Sequence, residues 1–152
     1  MDGDQSQKRA PCDSSCYDCL RSFRNMQYHG ILDWRLGLSY LRILTDSQYA
    51  CGIYDPADFD RLELRGWMEQ AGKLGNSFAK LFGYDFKGMD PLPWMEGDGI
   101  AVIVTHPLWD TYDPKGLLAK AKAIARTAGD PVFIDTFNLA RRPGWCHIVG
   151  RK

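Results

Sequence analysis

Ile100-Ala101-Val102-Ile103-Val104-Thr105 is an unbroken apolar and β-branched run. A strand with one wet face alternates apolar and polar residues, so a run without alternation is expected to be buried on both faces. Working outward, residues 83–99 are rich in Gly, Pro and Asp and leave room for one or two short strands. After the run, Asp113-Pro114 is expected to open a helix. Leu117, Leu118, Ala121, Ile124 and Ala125 would share one side of it, and Gly129 would be its C-cap. Pro131 to Phe137 reads as a second buried strand and Trp145 to Val149 as a third candidate. Strand, helix, strand over residues 100–137 predicts a right-handed parallel crossover. The fold class is therefore α/β, with a small α+β arrangement also compatible. The element order fits, among others, a degenerate restriction-endonuclease-like core.

Towards the N-terminus, Ile31, Leu32, Trp34, Leu36, Leu38 and Leu41 recur at three- and four-residue steps, predicting an amphipathic helix over 31–44. Residues 45–54 form a connector. Asp55-Pro56 then reads as an N-cap with proline at the first helical position, opening a helix that runs to about residue 82. Gly66, Gly72 and Gly75 each weaken that helix by up to ~1 kcal/mol against Ala. Close packing or a break near Gly75 would account for them. The expected organisation is a flexible lead-in at 1–10, a cysteine-rich knuckle plus helix at 11–46, and an α/β unit at 47–152 continuous with the knuckle.

The 152 residues carry 19 basic and 19 acidic side chains, a formal net charge of zero. Strong, unaided, non-specific DNA binding by the whole surface is thereby excluded. The zero conceals a gradient. Residues 1–46 balance six bases against six acids, residues 47–112 hold five against ten, and residues 113–152 hold eight against three. Such asymmetry marks a basic face or charges that cancel in space. No apolar run reaches the roughly 20 residues of a membrane span. The polar N-terminus, with Asp2 and Asp4, does not read as a signal peptide. Five unevenly spaced cysteines do not make a secreted disulfide framework. The expectation is a cytoplasmic protein with reduced thiols.

Three of those cysteines fall within eight residues, Cys12-Asp13-Ser14-Ser15-Cys16-Tyr17-Asp18-Cys19. A tetrahedral structural zinc takes about four thiolate or imidazole ligands, and short loops bring thiolates to one point. Cys12, Cys16 and Cys19 supply three. His29 is the nearest candidate for the fourth, followed by Cys51, Cys146 or a group from a partner chain. The rival reading of Cys16-x-x-Cys19 is a redox pair, which normally follows a buried strand and opens a helix. No apolar strand precedes Cys16, and redox chemistry leaves Cys12 without a role. Reduced cysteines without metal are the plain alternative.

The run Cys16-Tyr17-Asp18-Cys19-Leu20-Arg21-Ser22-Phe23-Arg24-Asn25, followed by His29-Gly30-Ile31-Leu32-Asp33-Trp34-Arg35-Leu36, resembles a helicase-associated module. It is similar to the cysteine-rich zinc-binding region near the C-terminus of MrfA-type DEAD/DEAH-box helicases and to regions of DrmB-like phage-defence proteins. The resemblance covers residues 10–45 and ties the CYxCL core to a downstream H-G-x-L-D-W. Thr105-His106-Pro107-Leu108-Trp109 and Asp135-Thr136-Phe137-Asn138 are similar to segments that follow the motif in some such proteins. The four-cysteine form has a further cysteine where this chain has Ala10. The resemblance implies a structural zinc and a helicase motor domain or subunit as partner. The chain itself has no phosphate-binding G-x-x-x-x-G-K-[ST] loop and no DEAD-type acidic box. The expected function is therefore a non-catalytic zinc-binding accessory domain of a helicase-type DNA-processing or phage-defence system, with no small-molecule substrate.

Two alternatives belong to other classes. A small metal-dependent nuclease would gather acids and a lysine on Mg²⁺ at strand ends. Asp85, Asp90, Glu96 and Asp98 could supply an acid, but the strand at 100–105 is uncharged. A zinc-dependent protein–protein adaptor would make no nucleic-acid contact. Contact with DNA would fall to Arg21 and Arg24, interleaved with Phe23 and Tyr28, and to Arg141 and Arg142. His106 and Asn138 could share one edge if the two buried strands are parallel neighbours.

Overall fold

The computed structural model describes residue 12, residues 14–125 and residues 129–151. The lead-in at 1–10, including Ala10, lies outside them. A four-stranded mixed sheet forms the centre, in the order β1 (Asp85–Gly88), β2 (Trp94–Gly97), β3 (Ile100–Thr105), β4 (Val132–Asp135). The first three strands pair antiparallel and β3 pairs with β4 in parallel, Thr105 opposite Asp135. The fold is thus small α+β, with the expected order of elements from residue 67 to residue 135. Ala101 to Thr105 are buried in succession. Successive side chains point to opposite faces of a strand, so both faces of β3 are covered.

Helix α1 (Trp34–Thr45) begins three residues later than the apolar pattern suggests, because Asp33 caps it. The Asp33 carboxylate accepts from the Arg35 and Leu36 amides at 3.0 and 3.1 Å. The continuous helix expected from Asp55 is two elements. Asp55 caps a 3₁₀ turn, Pro56–Asp60, and α2 (Trp67–Phe82) starts only after Gly66, whose φ of 75° places it in the left-handed region. Gly75 breaks nothing. A Cβ there would lie 3.2 Å from Phe86 and Val104, so this glycine lets α2 settle onto the sheet.

Three further expectations need correction. Helix α3 (Gly116–Ile124) is capped by Lys115 rather than Asp113, and it ends before Gly129. The Pro131–Phe137 strand stops at Asp135, because Asp135 turns from strand residue to cap. Its Oδ1 accepts from the Asn138 amide at 2.8 Å and opens α4 (Thr136–Arg141). Residues 145–149 are not a strand but lie within α5 (Pro143–Val149). Proline at its first position preorganises the turn, and the buried positions Cys146 and Gly150 are four apart, a helical spacing.

His106, just beyond β3, is 5% exposed and packs among Trp67 and Trp109. Burial pushes its pKa down to about 4, only partly offset by Asp135. The unfolded chain, with an ordinary value of about 6.5, takes up this proton first. Stability should therefore fall as pH drops from about 6.5 to about 4, by at most about 1.4 kcal/mol per pH unit from this group. Denaturant midpoints compared between the wild type and His106→Gln across that window should show the extra loss in the wild type alone.

Candidate metal centre

The knuckle is a tight turn around Cys16. Its carbonyl accepts from the amides of Cys19, Leu20 and Arg21 at 3.2, 3.2 and 2.9 Å. That turn folds Cys19 back onto Cys16, and the Cys16 amide donates to Cys19 Sγ at 3.1 Å. Trp34, the first residue of α1, fixes the other end. Its indole Nε1–H donates to the Cys12 carbonyl at 2.8 Å, and its amide donates to the Ser14 carbonyl at 2.9 Å. The aromatic residue of the H-G-x-L-D-W motif thus ties the cysteine loop to the helix.

Cys12, Cys16 and Cys19 bring their sulfurs within 4.8 Å of one another, as a group that could hold a metal ion. Cys19 Sγ stands 3.5 Å from Cys12 Sγ and 3.6 Å from Cys16 Sγ, and all three are free thiols. Tetrahedral zinc with Zn–S of about 2.3 Å spaces its sulfurs about 3.8 Å apart. The two separations from Cys19 are thus close to those around such an ion. The electrostatics divide the three. Cys19 is held below the usual thiol range, chiefly by the Cys16 amide pointing at its sulfur, against desolvation. Cys12 is pushed up to about 11 by desolvation and then by the neighbouring sulfurs. Three thiols this close cannot all ionise beside one another unless a cation joins them.

His29 stands beside this group but outside it. Its ring meets Tyr17 edge-on, with centroids 5.4 Å apart. Its Nε2 lies 3.0 Å from the Ser22 carbonyl and 2.9 Å from Asn25 Oδ1. Asn25 Oδ1 also accepts from the Ser22 amide, so Nε2 faces two acceptors and must carry the proton. Nδ1 is then the nitrogen left to accept. A carbonyl holding the far N–H is the usual support of a metal-binding imidazole. Cys51 and Cys146 are buried in the core, 0% and 2% exposed, and neither joins the three thiols.

The basic residues split between inward and outward roles. Arg21 donates from Nε to Ser15 Oγ at 2.9 Å, a buried hydroxyl of the knuckle. Arg141 donates to the Gly30 carbonyl at 2.5 Å and lies over the Phe137 ring at 3.7 Å, joining α4 to the knuckle. Arg24 is exposed. Arg142 is exposed as well, with its guanidinium over Trp145 at 4.3 Å. Because β3 and β4 are parallel neighbours, His106 and Asn138 both follow the carboxyl ends of the strands, where Asn138 bonds Asp135 and Arg142. Of the acids considered for a nuclease, Asp85 and Glu96 are cross-strand partners bridged by Lys87 at 2.6 and 3.8 Å, whereas Asp98 pairs with Arg151 at 2.7 Å. Among the described residues no third acid or histidine joins Asp85 and Glu96.

Two residues that position the knuckle were not singled out as such from the chain. Asn25 lies within the quoted motif, but only its pairing with Ser22, the three-residue spacing of a capping box, hinted at its role. Ser15 carried no signal. Comparison with family models, with curated proteins and with solved structures finds no match in any of the three.

Proposed function

We propose that this chain is a non-catalytic zinc-binding accessory domain or subunit of a helicase-type DNA-processing or anti-phage defence system. The convergence of the Cys12, Cys16 and Cys19 sulfurs within 4.8 Å carries the metal part. Zinc suits it because the donors are soft thiolates gathered at one point. His29 Nδ1 completes the site, or a partner chain does. The resemblance over residues 10–45 supports the helicase context and a cytoplasmic setting. Among the described residues no helix is long and apolar enough to cross a membrane.

Contact with single-stranded DNA falls to Arg24, next in sequence to the exposed Phe23, and to Arg142, whose guanidinium lies over Trp145. Fluorescence anisotropy with a labelled single-stranded oligonucleotide tests this. The zinc-loaded chain should bind with a salt-dependent affinity. Replacing Arg24 and Arg142 together with Ala should weaken binding and lower the salt slope by about 1.4, about 0.7 for each phosphate contact on a single strand.

A second reading has its own observation. The knuckle and α1 expose Tyr17, Phe23, Ile31, Leu41 and Leu44 at 65, 84, 58, 59 and 64%. Exposed apolar groups of that size would supply the contacts of a docking surface. An oligonucleotide that fails to bind at low salt would leave the protein–protein adaptor as the function.

A further inference from the structure

The five cysteines differ in what can reach them. Cys51 and Cys146 are buried in the core, Cys12 and Cys16 are half-buried, and Cys19 is exposed. An oxidant dissolved in water therefore meets Cys19 first. Oxidation at sulfur follows exposure, and it ends in a disulfide where a second thiol stands close enough to resolve the product. Cys19 Sγ has two such neighbours, Cys12 Sγ at 3.5 Å and Cys16 Sγ at 3.6 Å.

The backbone chooses between them. A disulfide has S–S of about 2.05 Å and Cα atoms about 4.4–6.8 Å apart. The Cys16 carbonyl accepts from the Cys19 amide at 3.2 Å, which closes a turn, and a turn keeps its first and fourth Cα atoms within about 7 Å. The Cys16 amide also donates to Cys19 Sγ at 3.1 Å and holds that sulfur against the Cys16 backbone. Bond formation there asks only that two side chains rotate, bringing the sulfurs about 1.5 Å closer within a turn already made. Cys12 is placed otherwise. It stands seven residues from Cys19, and its carbonyl is held by Trp34 Nε1–H at 2.8 Å. A bond from Cys19 to Cys12 would have to close a longer loop against that anchor.

We propose that Cys19 is a peroxide-reactive thiol, that Cys16 resolves it as a disulfide, and that this bond opens the metal site. The Cys19 sulfur attacks one oxygen of hydrogen peroxide, forming S–O as O–O breaks, and the departing hydroxide takes a proton to leave as water. The Cys16 sulfur then attacks the Cys19 sulfur, forming S–S as S–O breaks, and the second oxygen leaves as water. The two sulfurs give up two electrons, and the peroxide is reduced to two molecules of water. The opening of the site rests on the zinc reading above, whereas the disulfide itself does not. A Cys16–Cys19 bond removes two of the three thiolate donors, and the one that remains is too few for a structural zinc. In the reduced chain all three sulfurs serve the metal, so Cys12 keeps its role. Its tie to Trp34 lies outside the new bond, so a thiol reductant followed by zinc should rebuild the site.

The test adds hydrogen peroxide to the purified, reduced full chain. Released zinc is followed with a chromogenic chelator, and the cysteines are mapped by differential alkylation and mass spectrometry. Free thiols should fall from five to three per chain, with the bond between Cys16 and Cys19, and the bound zinc should leave in step with it. Dithiothreitol and then zinc should restore both. Thiols and zinc that persist under peroxide sufficient to oxidise free cysteine would overturn the proposal. So would a bond to Cys12, Cys19 oxidised to the sulfinic acid without a bond, or zinc that stays on the bridged chain. A chain carrying no zinc before peroxide is added would sink the metal reading, with the loss of zinc-site opening. The mapped bond would then decide the thiol pair by itself, for or against.

Discussion

Cys19→Ser is expected to empty the metal site and unfold the knuckle while leaving the sheet in place. Cys19 is the sulfur that touches both others, and it receives the Cys16 amide. Structural zinc in small domains contributes about 10–16 kcal/mol of apparent binding free energy, which becomes folding free energy for the loop it closes. Losing one of three thiolates removes most of it. Metal per chain should fall from about one to near zero. Amide exchange should speed up over residues 14–34, where the Trp34 bonds to Cys12 and Ser14 depend on the loop. Exchange in β3 should be unchanged. Cys146→Ala, outside the thiol group, should keep the metal. Full metal content in Cys19→Ser would remove that sulfur from the site.

Gly116→Ala should be the costliest single methyl group in the chain. A Cβ at Gly116 would stand 2.1 Å from the Ile53 carbonyl oxygen, and the residue has φ of +51°. The same carbonyl accepts the Leu117 amide at 2.9 Å, so the clash falls on the bond that docks α3 against the connector. Backbone cannot swing aside as a side chain can. We expect a loss of about 3 kcal/mol or more, lowering the melting midpoint by roughly 6–12 °C for a chain of this size. Gly72→Ala provides the contrast. Its Cβ would meet the Met89 methyl at 2.6 Å, the far end of a flexible side chain. Ala also favours the helix by up to ~1 kcal/mol, so this variant should be close to neutral. Equal losses in the two variants, measured by thermal unfolding, would contradict the distinction.

The parts of the fold that could be read from the chain were those with one dominant signal. The 100–105 run had no charged residue and no alternation to orient it, and it is the strand buried on both faces. The helix in front of it and the parallel partner after it followed from spacing. The strand expected at residues 145–149 is part of a helix because five residues of mixed apolar and polar character fit either element. Only the burial of Cys146 and Gly150, a tertiary fact, decides between them. The helix expected from Asp55 failed for a similar reason. The Asp-Pro cap was real, but it opened a 3₁₀ turn, and the left-handed Gly66 started the true helix. At the candidate site, the cysteine spacing foretold the thiol group. The tie from Trp34 to the Cys12 carbonyl spans 22 residues, and no local pattern encodes it. Glu63 is the sharpest case. It stands in a charged stretch that reads as solvated surface, yet Arg42 and Tyr49 hold it in the interior.

The central claim is that Cys12, Cys16 and Cys19 are zinc ligands, and metal analysis with X-ray absorption on the reduced, purified chain tests it most directly. One zinc per chain, with three sulfurs at about 2.3 Å and a fourth lighter atom or a sulfur from a partner, is the predicted result. A metal-free chain whose three thiols react freely with a thiol reagent while the knuckle stays folded would contradict it.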